Sequence, residues 1–113
     1  MTFAFDAYRF AELTAVAAIV GSPNAYKASP TVVSWEAALP GDCTELTAEA
    51  ERIFRALGWP GDIMERWTCK TQKGKRHAVL VLKLEAGATA IDCRHPRPML
   101  KDDLHYRNWV RAG

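Results

Sequence analysis

Three side chains in this sequence have the types and the order that catalysis by a thiol requires. Cys43 stands at the predicted start of an amphipathic helix, His77 begins a long apolar strand, and Asp92 lies on the next predicted strand. The positive end of a helix dipole favours the thiolate, which is the nucleophilic form of cysteine. A histidine can take up and return the thiol proton, and a carboxylate can fix the tautomer of its ring. The three residues therefore predict a Cys–His–Asp triad.

The positions of His77 and Asp92 predict that their side chains touch. A tight turn should join the two strands, so the start of one comes beside the end of the other, and cross-strand neighbours lie within side-chain reach. Asp92 also interrupts the apolar run TAI-D-C, where a carboxylate is costly to bury without a partner. An imidazole would provide that partner. His95 and His105 remain as rival bases.

The first helix of the chain is predicted over residues 6–20. Asp6 can accept a hydrogen bond as its N-cap residue, apolar residues recur at helical spacing, and Gly21 follows its end. A short helical turn is predicted near residues 34–39, in the segment SWEAAL.

The second helix is predicted within GDCTELTAEAERIFRALGWPG and should carry the nucleophile. Asp42 is its predicted N-cap residue, and Cys43 is its first helical residue. Glu51 and Arg55 are spaced to pair on the side opposite an apolar stripe. Gly58 is predicted to end the helix.

After this helix the apolar period changes to two, which is typical of strands. The segments ERWTCKT, RHAVLVLKL and TAIDCR are predicted strands, joined by the turns QKGK and EAGA. Because AVLVL is apolar on both faces, its strand should be central and covered on both sides. The aromatic tail LHYRNWVRAG should pack back on the body. Helices followed by an antiparallel sheet predict one α+β domain over residues 1–113.

The three cysteines and the N-terminal residues bear on the compartment. An odd number of cysteines argues against a disulfide framework and for a reducing environment. Cys69 and Cys93 are expected to be thiols in the core or on a strand face, with a disulfide between them as an alternative. Asp6 and Glu12 stand where a secretory leader would be basic, and no apolar run has the length of a membrane span. These features predict a cytoplasmic protein without membrane partners.

The charge is unevenly distributed along the chain. The net charge of +2 divides into −5 for residues 1–65 and +7 for residues 66–113. A solvated basic hairpin, KTQKGKRH, accounts for much of this. The alternative to an enzyme is a binding module that uses this hairpin to hold an acidic protein or nucleic acid. Nucleic acid is the weaker partner, because the hairpin contains no aromatic residues on which bases could stack.

The segments around the triad resemble the bacterial transglutaminase-like cysteine proteinases. In that family GDC opens the catalytic helix, a GHAVLVV-like strand carries the histidine and a G..VLDN-like strand carries the aspartate. Here GDCTELTAEAERIFRALGWP, HAVLVL, GATAIDCR and YRNWVR follow in that order. The resemblance extends from about residue 29 to residue 110, most of the chain.

The resemblance implies a role for each residue of the triad. It implies Cys43 as nucleophile, His77 as general base and acid, and Asp92 as the orienting carboxylate. It further implies a papain-like transglutaminase core and hydrolysis of peptide or related amide bonds in a protein or peptide substrate, through a thioester. Transfer of the acyl group to an amine remains open, because the same triad permits it.

The resemblance also bears on cofactors. In some relatives the acids flanking the cysteine bind calcium, and the corresponding residues here are Asp42 and Glu45. Thr44 stands where the family has an acid, and Cys93 stands where it has an asparagine. No cofactor is therefore expected to be required, and Asp42 and Glu45 are the candidate calcium ligands.

The sequence predicts one donor for an oxyanion and offers two candidates for a second. The backbone N–H of Cys43 is a natural donor, because first-turn amides lack helical partners. Asn24 and Trp35 are candidates for a second donor or a wall of the cleft, with packing against the helix as the alternative for Trp35.

Overall fold

The computed structural model of the chain describes residues 3–21 and 43–112. Asn24, Trp35, Asp42 and the helical turn predicted near residues 34–39 lie outside the described residues. The elements in chain order are α1 Ala7–Val20, α2 Cys43–Ala56, a 3₁₀ turn Gly61–Ile63, β1 Met64–Lys70, β2 Arg76–Leu84, β3 Gly87–Ile91, β4 Met99–Leu100, a 3₁₀ turn Lys101–Asp103, and β5 Arg107–Arg111.

Helix α1 begins and ends as predicted. The Asp6 carboxylate accepts a hydrogen bond from the Arg9 N–H at 3.0 Å, which satisfies one of the free amides of the first turn. Gly21 follows the last helical residue and lies against the backbone of the loop after β3. A Cβ atom at this position would lie 2.1 Å from the carbonyl oxygen of His95 and 2.6 Å from Cα of Pro96. Only glycine allows α1 to approach this loop so closely.

The end of α2 at Gly58 is also confirmed, and its geometry is a Schellman motif. Gly58 has φ of 90°, and its N–H donates to the carbonyl of Arg55 at 3.0 Å. The N–H of Trp59 donates to the carbonyl of Phe54 at 2.9 Å, which completes the motif. The rings of Trp59 and Phe54 are 4.6 Å apart, so the apolar contact that usually accompanies this cap is present.

A buried carboxylate connects α2 to the sheet. Both oxygens of Glu51 accept hydrogen bonds from the Arg66 guanidinium on β1, at 2.9 and 3.1 Å. The predicted pair of Glu51 with Arg55 is present as well, at 3.2 Å. Bidentate geometry of this kind fixes direction as well as distance, and so sets how α2 lies on the sheet.

The sheet has five strands in the order β4-β3-β2-β1-β5, and all neighbours are antiparallel. The strand β2 is central, and its residues 77–82 are buried, as predicted from its two apolar faces. The tail packs back on the body as expected, but it does so as a strand, β5, which pairs with β1. Together with the short β4 it extends the three-stranded sheet predicted from the sequence.

Both faces of the sheet are covered. On one face Ala78, Leu80 and Leu82 of β2 pack against the two helices. On the other face Val79 and Val81 pack in a second cluster that includes residues of the tail. That cluster comprises Cys69, Ala90 and Leu104, with Trp67, Met99, Tyr106 and Trp109 at its edge. The fold is therefore α+β, two helices on a five-stranded antiparallel sheet, as predicted in outline.

Within residues 3–21 and 43–112, neither helix has the length and apolar character needed to cross a membrane.

Candidate active site

His77 and Asp92 form a buried hydrogen-bonded pair at one end of the sheet. His77 is the second residue of β2, and Asp92 directly follows the last residue of β3. The strands pair Leu80 with Ile91, and one further step of this register sets Asp92 opposite Val79. The two side chains thus meet diagonally rather than as direct neighbours. Nε2 of His77 lies 2.6 Å from Oδ1 of Asp92, and the side chains are 1% and 0% exposed.

Asp92 has further hydrogen-bond partners. The Tyr106 hydroxyl donates to Oδ2 at 2.6 Å, and the Arg94 N–H donates to Oδ1 at 3.1 Å. Burial alone would raise the pKa of Asp92, but the hydrogen bond with His77 and then those from Tyr106 and Arg94 hold this pKa below its ordinary value. Asp92 is therefore a carboxylate in the folded protein over the neutral range of pH.

His77 is held in its charged form by the same contacts. Burial would lower the pKa of His77, but hydrogen bonds with Asp92 and Cys43 outweigh it and raise the pKa to about 9. The ring is therefore an imidazolium at neutral pH. Because Nε2 faces Asp92, Nδ1 is the ring nitrogen left for the thiol of Cys43.

Cys43 is presented by the first turn of α2. It is the first residue of the helix, with 7% of its surface exposed, and its carbonyl accepts a hydrogen bond from the Thr47 hydroxyl at 2.8 Å. Amides of a first helical turn have no partner within the helix, so they point toward the space in front of it. The structure thus brings together the three residues that the sequence singled out.

The other two cysteines differ from Cys43 in their surroundings. All three cysteines are free, so the disulfide considered between Cys69 and Cys93 is not formed. Cys69 is the direct cross-strand partner of His77, and burial, followed by the negative charge of Asp92, raises the pKa of its thiol to about 12. The same two causes raise the pKa of the Cys93 thiol further. Both are thiols of the interior, as predicted.

The rival histidines occupy other positions. Nε2 of His95 lies 3.6 Å from Oδ2 of Asp92, with its side chain 37% exposed, and His105 is exposed. Neither takes the place of His77, whose Nε2 lies 2.6 Å from Oδ1 of Asp92.

Sequence reasoning missed Tyr106 as a member of this site. Its hydroxyl holds Asp92, and its ring lies edge-on to the ring of His77 with centroids 5.1 Å apart. The one available signal was the tail itself, where a tyrosine stands in a segment expected to pack back on the body. Nothing in the local sequence connects it to a carboxylate that precedes it by 14 residues.

One cluster among the described residues has the composition of a metal site. Donor atoms of His77, Asp92 and Cys93 lie within 4.8 Å of one another. The first two are already hydrogen-bonded to each other, and the thiol of Cys93 is strongly held in its protonated form. A metal would have to replace these bonds, so the donor set fits a hydrogen-bonded pair better. Glu45 is not part of this cluster, and the other predicted calcium ligand, Asp42, is outside the described residues.

A cleft of about 530 Å³ opens beside His77. Cys43 is not among the described residues that line it, whereas His77 and Tyr106 are. Its other described lining residues are Thr71, Gln72, Lys73, Lys75, Arg76, Arg94, His95, Met99, Asp103, Leu104 and His105. Its size is within the range of sites that bind small ligands or a few residues of a peptide.

Comparison of the chain with models of protein families, with curated proteins and with solved structures returned no match. A thiol at a helix N-terminus, an imidazolium and a carboxylate in a hydrogen-bonded series can generate a nucleophile and deliver a proton to a leaving group.

Proposed function

We propose that the protein is a cysteine hydrolase that cleaves peptide or related amide bonds with Cys43, His77 and Asp92. One observation carries the proposal: the buried His77 ring is hydrogen-bonded to Asp92 through Nε2 at 2.6 Å, and a hydrogen bond with Cys43 contributes to its raised pKa. The geometry supports the triad, and the sequence resemblance adds the chemical class. On this proposal the chain is a member of the transglutaminase-like cysteine proteinases, with their papain-like core.

The reaction begins with the thiolate of Cys43 and the imidazolium of His77. Sγ attacks the carbonyl carbon of the amide, and His77 gives its proton to the leaving nitrogen as the carbon–nitrogen bond breaks. The product is a thioester on Cys43 and a free amine. Water then attacks the thioester carbonyl and passes a proton to His77. The carbon–sulfur bond breaks, the carboxylic acid leaves, and the thiolate of Cys43 is regenerated.

Asp92 acts by holding His77. A carboxylate on Nε2 directs Nδ1 toward the thiol and stabilises the imidazolium that must be present before the amine leaves. The oxyanion formed on the carbonyl would accept a hydrogen bond from the backbone N–H of Cys43, which has no partner in the helix. Donors proposed from Asn24 and Trp35 belong to the part of the chain outside the described residues.

The proposed compartment is the reducing cytoplasm, which keeps the nucleophile as a free thiol. Water is the proposed acceptor of the acyl group, with a primary amine as the alternative. Added primary amine distinguishes the two acceptors. Hydrolysis gives the free acid as the main product in its presence, whereas transfer gives an amide of the added amine.

The proposal is tested by turnover of a fluorescein-labelled casein and of a mixture of fluorogenic peptide amides. Cys43→Ala should reduce turnover by about a thousandfold or more, because it removes the nucleophile. Cys69→Ala is the matched control: it also removes a buried thiol, and it should keep activity within about threefold. Far-UV circular dichroism establishes that both variants are folded. Full activity of Cys43→Ala, or no activity of the wild type on any of these substrates, contradicts the proposal.

A further inference from the structure

The cleft beside His77 is strongly basic. Lys73, Lys75, Arg76 and Arg94 line it, and Asp103 is the one acidic residue among its described lining. The ring of His77 forms part of the same wall. A cleft lined by charges of one sign concentrates the potential inside it, and therefore attracts ions of the opposite sign more strongly than a flat surface does.

The lysines are held by a well-defined turn between β1 and β2. The N–H of Thr71 donates to the carbonyl of Lys75 at 2.8 Å, and the N–H of Gly74 donates to the carbonyl of Thr71 at 2.8 Å. The Thr71 hydroxyl accepts from the N–H of Lys75 at 3.2 Å, and Gly74 supplies the φ of 79° that the turn needs. The backbone carrying Lys73 and Lys75 is thus fixed before any ligand binds.

These cations have no acidic partner among the described residues. Arg9, Arg52, Arg55, Arg66, Lys83 and Arg111 each pair with a glutamate, and none of the ion pairs within residues 3–21 and 43–112 includes Lys73, Lys75, Arg76 or Arg94. The Arg94 guanidinium lies over the ring of Tyr106, 5.9 Å from its centroid. A guanidinium stacked in this way can still donate hydrogen bonds in its own plane to an anion. Four cations around one cleft, none of them in an ion pair with another described residue, are available to an anionic ligand.

We infer that this cleft binds a carboxylate of the substrate, so that the enzyme cleaves peptides with an aspartate or glutamate close to the scissile bond. This inference rests on the proposed function, because it places the recognised side chain next to the reacting histidine. Lysine and arginine both form short, charge-assisted hydrogen bonds with carboxylates, and the planar guanidinium of Arg94 can bind one in bidentate fashion.

A peptide fits this cleft better than a nucleic acid does. Its volume of about 530 Å³ holds a few residues rather than a long polyanion. Tyr106 is the one tyrosine or tryptophan among the described lining residues, and its hydroxyl is already bonded to Asp92. Single-stranded nucleic acids are usually bound through several aromatic residues on which successive bases stack.

The first experiment compares peptide amides that differ only in glutamate or glutamine at each position flanking the scissile bond. At one or more positions the glutamate peptide should have a kcat/KM at least about tenfold higher, which corresponds to about 1.4 kcal/mol. Raising the salt concentration from about 50 mM to about 500 mM should reduce this preference, because it screens the cleft charges.

The variant Lys73→Gln/Lys75→Gln should lower the preference to about threefold or less, since it removes two cations from the cleft. The double variant Arg52→Gln/Lys83→Gln is the control. It removes two cations from exposed positions outside the cleft lining and should keep the full preference. Hydrolysis with equal kcat/KM for every glutamate and glutamine pair overturns the inference and leaves the hydrolase in place.

A binding experiment separates this inference from the proposed function. Cys43→Ser should bind a fluorescein-labelled glutamate-rich peptide more tightly than its glutamine counterpart in an anisotropy titration, and the Lys73→Gln/Lys75→Gln changes should weaken that binding. If this binding is found but the wild type hydrolyses no amide, the hydrolase is overturned and the cleft is a binding site alone. Tighter binding of a single-stranded oligonucleotide than of the acidic peptide overturns the peptide assignment.

Discussion

The phenolic hydroxyl of Tyr106 donates a hydrogen bond to Asp92, 2.6 Å from Oδ2, while His77 occupies the other carboxylate oxygen at the same distance. The carboxylate is fully buried, so its two oxygens depend on protein donors. Tyr106, a residue of the tail, thereby adds a third member to the hydrogen-bonded pair of His77 and Asp92. Tyr106 is a positioning residue: its hydroxyl is bonded to Asp92, and it acts on His77 through that carboxylate.

Tyr106→Phe should destabilise the protein by about 2 kcal/mol, because it removes a hydrogen bond to a buried charge without removing the ring. The loss should shrink in acid as Asp92 becomes protonated. If the proposed function holds, kcat should fall more than KM rises, since the change keeps the ring that lines the cleft and removes only the hydroxyl that holds Asp92. Tyr8→Phe is the matched control: Tyr8 is 71% exposed and should change the free energy of unfolding by less than about 0.5 kcal/mol. Equal effects of both changes would contradict the role of Tyr106.

The free energy of unfolding should depend on pH in a way set by His77 and Asp92. The pKa of His77 rises on folding from 6.5 to about 9, so the stability it contributes is complete below pH 6.5 and is lost as pH rises toward 9. The pKa of Asp92 falls below 3.8 on folding, so its contribution is present above that pH and is lost in stronger acid. The pair is most stabilising between these limits.

Urea unfolding at a series of pH values measures this dependence. The wild type should become less stable between neutral pH and pH 9, and His77→Gln should show a smaller decline over the same interval. The variant should also be less stable throughout, because it leaves Asp92 without its charged partner. A wild-type stability that rises over this interval would show that His77 is not the group charged in the folded state.

Iodoacetamide at near-neutral pH should modify Cys43 ahead of the other two cysteines. A hydrogen bond with Cys43 is among the causes that raise the pKa of His77, whereas burial raises the pKa of Cys69 to about 12 and raises that of Cys93 as well, so neither of these two supplies thiolate. Mass spectrometry of the digested protein should find one modified cysteine in the native state and three in denaturant. Modification of Cys69 or Cys93 as fast as Cys43 would mean that the site does not activate its thiol.

Glu51→Gln should destabilise the fold by about 2 kcal/mol. It weakens the two hydrogen bonds from Arg66 that hold α2 on β1 and removes the negative charge that faces the guanidinium. Burial opposes ionisation of Glu51, but the hydrogen bonds from Arg66 hold its pKa below the ordinary value, so the difference from wild type should narrow in acid. Glu49→Gln is the control, because its pair with Arg52 is exposed and should contribute less than about 1 kcal/mol. Thermal unfolding of the two variants provides the comparison.

The helix ends and the central strand could be predicted because their signals are local in the sequence. Asp6 and Gly21 frame α1, and Gly58 ends α2, because capping depends on a few neighbouring residues. The bounds of β2 follow from the basic turn before it and the unbroken apolar run within it. The contact between His77 and Asp92 follows from the hairpin that joins their strands. In the strand pairing the two residues are not directly opposite but are offset by two positions.

The tail could not be predicted in the same way. Four of the five residues of β5 are exposed, so its sequence has no alternation of apolar and polar residues, and β4 has two residues only. The hydrogen bond from Tyr106 to Asp92 joins segments whose proximity depends on how the whole tail folds. The bidentate contact between Arg66 and Glu51 was likewise missed, although the pairing of Glu51 with Arg55 four residues away was predicted.

The hydrogen bond to the second carboxylate oxygen of Asp92 comes from Tyr106. The ribosome adds this residue later than all the others at this site. A nascent chain that stops short of Tyr106 has the thiol, the imidazole and the carboxylate, yet it lacks the donor that stabilises the buried charge. The site therefore reaches its full order only after the tail has been synthesised and has closed over the sheet.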